Sequence, residues 1–224
     1  MSVDVVTGGA LGALFTVLSH PLHVLYTLHT HDVLKGKTHP CKWKFALKHL
    51  RRPASVFKRG LALRTLQGCA SYTFLFFLHD LLQPKLGSAF MTNAASGFIE
   101  NIVVRQPLLT ATTATITSGS MFNPAAWERA ARHLPITCLL RSGYFGCSSI
   151  GSPVLGLFCG IQFVALAEVL TNTASTPAKL GTALKHGLLS VTNPFLVGRE
   201  ALFLVPFFIK NRTAAASAGA REEK

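Results

Sequence analysis

His20-Pro21-Leu22, Gln106-Pro107-Leu108 and Asn193-Pro194-Phe195 punctuate this chain at a nearly constant interval. The intervals are 107 − 21 = 86 and 194 − 107 = 87 residues. Each proline stands late in a long apolar run. Small residues open these runs, as in Gly8-Gly9-Ala10-Leu11-Gly12 and Ala94-Ala95-Ser96-Gly97. Proline removes a backbone donor and bends a helix. Small residues let neighbouring backbones approach closely. A bent helix that recurs at a fixed period predicts three copies of one supersecondary unit.

The runs around these prolines set the class. The chain has 224 residues, of which 49% are hydrophobic and 14% charged, with mean hydropathy +0.38. Soluble domains carry about 25% charged residues. A bilayer span needs about 20 apolar residues. Stretches of that kind fall at 5–28, 66–82, 89–116, 142–167 and 180–209. The third carries only Glu100 and Arg105, and the last is interrupted by Lys185, Arg199 and Glu200. The expectation is an all-α, multi-pass membrane protein with about five transmembrane helices, the odd ones bent, and short interfacial helices between them.

The first repeat, 1–86, places Trp43, Phe45, Ala46, Leu47 and Leu50 at helical spacing among Lys44, Lys48 and His49. That pattern predicts a short amphipathic helix at the membrane interface. Pro53 closes it, and Arg59-Gly60 opens the second span, which ends near Leu82. The second repeat, 87–173, follows the same plan. A polar link at 117–123 leads to Pro124 at a first helical position. The helix 125–134 follows, with Trp127, Arg129 and Arg132. The fourth span is counted from Gly143, and Gly146, Gly151, Pro153, Gly156 and Gly160 allow it to bend. The third repeat, 174–212, is truncated, and 213–224 is a polar tail. Only 224 − 194 = 30 residues follow Pro194, too few for an interfacial helix and a sixth span. All of 1–224 reads as one domain.

The net charge of +13 is unevenly placed. Lys35, Lys37, Lys42, Lys44, Lys48, Arg51, Arg52, Lys58, Arg59 and Arg64 crowd one segment. Such a loop belongs on the negative, non-translocated side of a membrane, against lipid headgroups. No recognition module or patterned aromatic set accompanies it, so no nucleic-acid partner is expected. Cys41, Cys69, Cys138, Cys147 and Cys159 contain no Cys-x-x-Cys pair and read as reduced structural thiols. His29, His31 and His39, even with Asp32 or Cys41, do not make a supported metal set. No nucleophile–base constellation and no phosphate-binding loop is present, so the chain does not read as an enzyme. Residues 1–9 show neither a basic leader nor an Arg-rich transit segment. Any mitochondrial address would be internal.

A bent odd helix, an amphipathic helix and an even helix, repeated near every 90 residues, resemble the mitochondrial carrier family. The proline steps, Arg59-Gly60, and the even-helix end Phe77-Leu78-His79-Asp80 carry the resemblance, with Glu168 in the place of Asp80 in repeat two. The resemblance implies a helical barrel of the inner mitochondrial membrane, built from three repeats. It also implies a gate in which each odd helix supplies Pro-x-Asp/Glu-x-x-Lys/Arg. Buried charges are costly unless paired, so a ring of such pairs is a two-state latch. Here Pro21 is followed by His23 and Tyr26, Pro107 by Leu109 and Thr112, and Pro194 by Leu196 and Arg199. No acid and one base remain. The resemblance implies a second latch on the even helices, an acid followed three residues later by Lys or Arg; here Asp80 is followed by Gln83 and Glu168 by Thr171, so neither pair is kept.

The resemblance implies cardiolipin at helix starts: Lys58, Arg59 and Gly60 in repeat one, and Arg141 and Gly143 in repeat two. The physical basis is free backbone N–H groups beside basic side chains. Glu100 and Arg105 are either residual cavity charges or a buried pair. No protein cofactor is expected beyond such bound phospholipid. The functional expectation is a transport-inactive, supernumerary subunit of a respiratory complex, a supercomplex or ATP synthase, whose partners are lipids and neighbouring subunits. The alternatives are a divergent mitochondrial solute transporter and an insertase-like carrier homologue with a polar groove along His20, His23, Arg105 and Arg199.

Overall fold

The apolar runs of the sequence become long helices. The computed structural model describes residues 3–34, 42–51, 53–148, 158, 161–166 and 192–202, and every element among them is helical. In chain order these are α1 (Val3–Leu34), α2 (Lys42–Leu50), α3 (Pro53–Lys58), α4 (Leu61–Leu86) and α5 (Ala89–Glu100). A five-residue π turn (Asn101–Arg105), α6 (Gln106–Ser118) and α7 (Pro124–Ser148) follow. Two further helical segments lie at 161–166 and 194–202. Among the described residues, α1 over Val5–Val33 and α4 are long and apolar enough to cross a membrane. Lys35, Lys37, His39, Cys41, Arg52, Gly151, Pro153, Gly156, Cys159, Gly160, Glu168, Thr171, Lys185 and the tail 213–224 lie outside the described residues, as does most of the stretch assigned to repeat three.

Two antiparallel hairpins organise the bundle, and glycines set their spacing. A Cβ on Gly12 would meet the Gly68 carbonyl oxygen and the Tyr72 ring, each at 2.5 Å. Gly8 lies against Phe76, and Gly9 against Thr73. The order of these contacts runs opposite ways along α1 and α4. In the second hairpin Gly97 lies against Phe145, and Gly146 against Phe90. The Ser142 hydroxyl donates to the Ala94 carbonyl at 2.9 Å. Close backbone approach through small residues is how apolar helices pack without a hydrophobic drive between them. Val24 of α1 and Ile116 of α6 share a buried cluster, and Gly60 packs on Thr112 and Ile116. The C-terminal ends of α1 and α6 and the start of α4 therefore share one end of the bundle.

The prolines take three different roles. Pro21 sits inside an unbroken α1. Pro107 follows the π turn, and the run 89–118 stays helical throughout. A π turn absorbs one extra residue per turn, so the expected bend is expressed as a widened turn just before the proline. Pro194, expected within a bent helix, instead opens the helix 194–202. The Asn193 side chain caps that start, with Phe195 N–H donating to its Oδ1 at 3.0 Å, as Asn at an N-cap does.

Other boundaries differ from the sequence reading. The second span runs on to Leu86, with Pro84 inside it, and Gly87 at φ +64 closes it. Pro53 both ends α2 and heads α3. The helix read as 125–134 does not stop; α7 continues through Pro135 to Ser148, so Gly143 is interior to a helix rather than the start of one. The apolar residues of α2 divide between two faces. Phe45 and Ala46 are buried in the main core, while Trp43, Leu47 and Leu50 are exposed. The Trp43 ring still meets the edge of Phe195, and the Lys42 ammonium donates to the Thr192 carbonyl at 3.2 Å.

Candidate functional site

Each long helix turns a polar stripe inward. On α1 the buried polar residues Thr16, Ser19, His20, His23, Thr27 and Thr30 fall at helical spacing, and His29 is buried beside them. On α4 they are Arg64, Gln67 and Ser71; on α5, Thr92, Ser96 and Glu100. Thr137 and Arg141 continue the pattern on α7. The outward faces are apolar: Val6, Leu14, Val17, Leu18, Leu66, Phe77, Leu81, Phe98, Val103 and Leu139 are exposed.

Glu100 is the junction of the second hairpin. It is 0% exposed, accepts from the Ser71 hydroxyl at 2.5 Å and accepts from Arg141 Nε at 3.2 Å. Three helices, α4, α5 and α7, meet at this one carboxylate. The Arg141 guanidinium also lies over the Phe145 ring, 4.3 Å from its centroid. Such a cation is held by charge and by the ring quadrupole together. The next residue, Asn101, donates to Thr137 Oγ1 at 3.3 Å and accepts from Arg105 at 3.4 Å. Glu100 and Arg105, singled out together by sequence, therefore have separate bonds: the carboxylate pairs with Arg141.

The positions assigned to the gate converge only in part. Arg199 Nη1 lies 3.0 Å from His23 Nδ1, and its guanidinium sits 5.1 Å from the centre of the Tyr26 ring. Arg199 Nε donates to the adjacent Glu200 at 2.7 Å. Leu109 and Leu196 are buried apolar side chains, and Thr112 Oγ1 donates to the Leu108 carbonyl at 2.7 Å. So α1 and the helix 194–202 are tied by an imidazole–guanidinium bond, where the family motif would put an ion pair.

The two lipid-binding assignments fare differently. Lys58 and Arg59 are exposed, and Gly60 at φ +71 begins α4 with no side-chain cap. That geometry keeps the helix-start N–H groups beside two cations. At Gly143 the backbone is mid-helix, where N–H groups are already bonded, and Arg141 is committed to Glu100. A helix-start anion site is therefore not formed there.

Sequence reading missed Gln67, Ser71, Asn101 and Thr137, and it placed Arg64 in the headgroup-facing basic loop, whereas Arg64 is buried within α4 and bonded to Gln67 at 2.7 Å. The signal was available as polar residues three and four apart inside apolar spans, the mirror image of ordinary amphipathicity. No protein-family model, curated protein or solved structure matches this chain.

Proposed function

We propose that the chain is a transport-inactive, carrier-like structural subunit of a mitochondrial inner-membrane assembly: a respiratory complex, a supercomplex or ATP synthase. The observation that carries this reading is the His23–Arg199 bond, with Leu109 and Leu196 buried at the neighbouring gate positions. A latch that opens and closes needs charge pairs that can be exchanged between states. His23 meets the Arg199 guanidinium through a ring nitrogen that must accept, since a guanidinium can only donate. It accepts one hydrogen bond and fixes one arrangement. Buried polar stripes on the long helices, with large apolar side chains exposed on their outer faces, support placement in a bilayer. The exposed Lys58 and Arg59 at the start of α4 support contact with anionic phospholipid such as cardiolipin.

Gentle detergent extraction, native electrophoresis and mass spectrometry test this reading. Co-migration with a large respiratory or ATP synthase band is the expected result. Migration as a lone small protein overturns it.

A second reading, a divergent solute transporter, draws on the buried Arg64, Gln67 and Arg105. Uptake of a defined solute into liposomes by the purified protein would favour it over the structural role.

A further inference from the structure

Only one side of α2 is taken up by the bundle. Phe45 and Ala46 lie in the main core, which also holds Leu25 and Tyr26 of α1 and Phe195 and Leu196 of the helix 194–202. The His29 and Phe45 rings pack edge to face, 5.3 Å between centroids. Lys42 reaches the Thr192 carbonyl, and the Trp43 ring meets Phe195. So α2 straps α1 to the helix 194–202, the same two helices that the His23–Arg199 bond joins. The strap has nine residues, of which Phe45 and Ala46 are buried. A helix that short is marginal without packing on its other faces.

The outer side is divided lengthwise. Trp43, Leu47 and Leu50 are 65%, 61% and 42% exposed. At 3.6 residues per turn these three fall within an arc of about 60°. Lys44, Lys48 and Arg51, all exposed, fill the adjoining arc of about 60°. Arg51 prolongs the turn, its N–H donating to the Leu47 carbonyl at 3.1 Å. One half of the outer side is therefore apolar and the other cationic.

That division selects the occupant. Water leaves the apolar half unburied, and a purely apolar groove leaves three cations without counter-charge. The boundary between acyl chains and headgroups presents an apolar and a polar layer side by side, at the scale of one helix. The charge must come from outside this part of the chain, because no acidic residue occurs between Asp32 and Asp80. An anionic leaflet supplies it.

We propose that α2 docks on the anionic leaflet, with Trp43, Leu47 and Leu50 among the upper acyl chains and Lys44, Lys48 and Arg51 at the phosphates, and that this contact holds the strap on the bundle. The proposal rests on the placement of the chain in a bilayer, not on its role in an assembly. The test uses the full-length protein in phosphatidylcholine nanodiscs, with and without phosphatidylglycerol. The chain has two tryptophans, so Trp127→Phe leaves Trp43 as the only one. Lipids brominated near the glycerol end of the acyl chain should quench Trp43 more than lipids brominated near the methyl end. Each cation at an anionic surface is worth about fivefold in partition. Phosphatidylglycerol should therefore slow amide exchange over 43–50 by at least about tenfold. The triple variant Lys44→Gln/Lys48→Gln/Arg51→Gln, which keeps Lys58 and Arg59, should erase that slowing. A second protein, Trp43→Phe/Trp127→Phe/Leu139→Trp, reports bilayer placement on the outer face of α7. Quenching at 139 with none at Trp43 overturns the proposal and leaves bilayer placement standing. Absence of quenching at both positions overturns bilayer placement and the proposal together. Equal exchange in the two lipids, or a phosphatidylglycerol effect that survives in the triple variant, overturns the proposal as well.

Discussion

Glu100 shows what a single side chain can decide in this interior. Its carboxylate receives the Ser71 hydroxyl and the Arg141 guanidinium with no water contact. Removing one partner of a buried pair costs about 3–5 kcal/mol, because the other charge stays behind. Glu100→Gln is therefore expected to lower unfolding stability by about that amount, measured by denaturant titration in detergent. The double variant Glu100→Gln/Arg141→Gln should recover much of the loss. His23 carries less. His23→Ala removes one bond to a charged group and should cost about 1.5–3 kcal/mol in the same assay. Sequence alone flagged Glu100, because a carboxylate in an apolar run is conspicuous. It could not name Arg141 as the partner, since 41 residues separate them and only the folding of α5 against α7 brings them together. Arg141-Ser142-Gly143 looked instead like a helix start, because Arg59-Gly60 is one.

Helices are where local pattern and tertiary context compete most openly. Periodicity was enough to predict α1, α2, α4 and the run 89–118. Equal spacing of the prolines was not enough to predict what each would do. In α1 the helix continues through Pro21, with the Ser19 hydroxyl donating to the Thr16 carbonyl at 3.2 Å. At Pro107 the backbone widens, and at Pro194 Asn193 supplies a cap and the helix starts afresh. Neighbouring side chains and packing decide among these outcomes, which proline spacing alone does not encode. Pro107→Ala returns a donor to the backbone beside Ile102 and Val103. Higher thermal stability and slower amide exchange over 101–108 are the expected readouts, by roughly 1 kcal/mol for one recovered bond. The glycine contacts were legible as small-residue runs. Gly12→Leu forces α1 away from Gly68 and Tyr72. A loss of at least about 1–3 kcal/mol follows from overpacking, read as a lower melting temperature.

At the scale of the whole molecule, one end gathers basic and aromatic groups. Lys44, Lys48, Arg51, Lys58 and Arg59 lie there with Trp43, and α7 begins there with Trp127, Arg129 and Arg132. The opposite end carries Gly87 and the α4–α5 turn. Single cysteines at Lys44 and Phe122, in a cysteine-free background, should be labelled by an impermeant maleimide from the same side of sealed vesicles, and a cysteine at Gly87 from the other. Labelling of Lys44 and Phe122 from opposite sides would contradict the hairpin arrangement. The concentration of cations at 35–64 was plain in the sequence, whereas the buried polar stripes became visible only when the helices were assembled. Arg199 and Glu200, adjacent in the chain and bonded at 2.7 Å, bear on biogenesis. An isolated ion must shed its hydration to cross into lipid, but a neighbouring ion of opposite sign shares that cost. This segment brings its own counter-ion, so its two charges can leave water together as a dipole. His23 then needs to offer the arriving arginine only a lone pair.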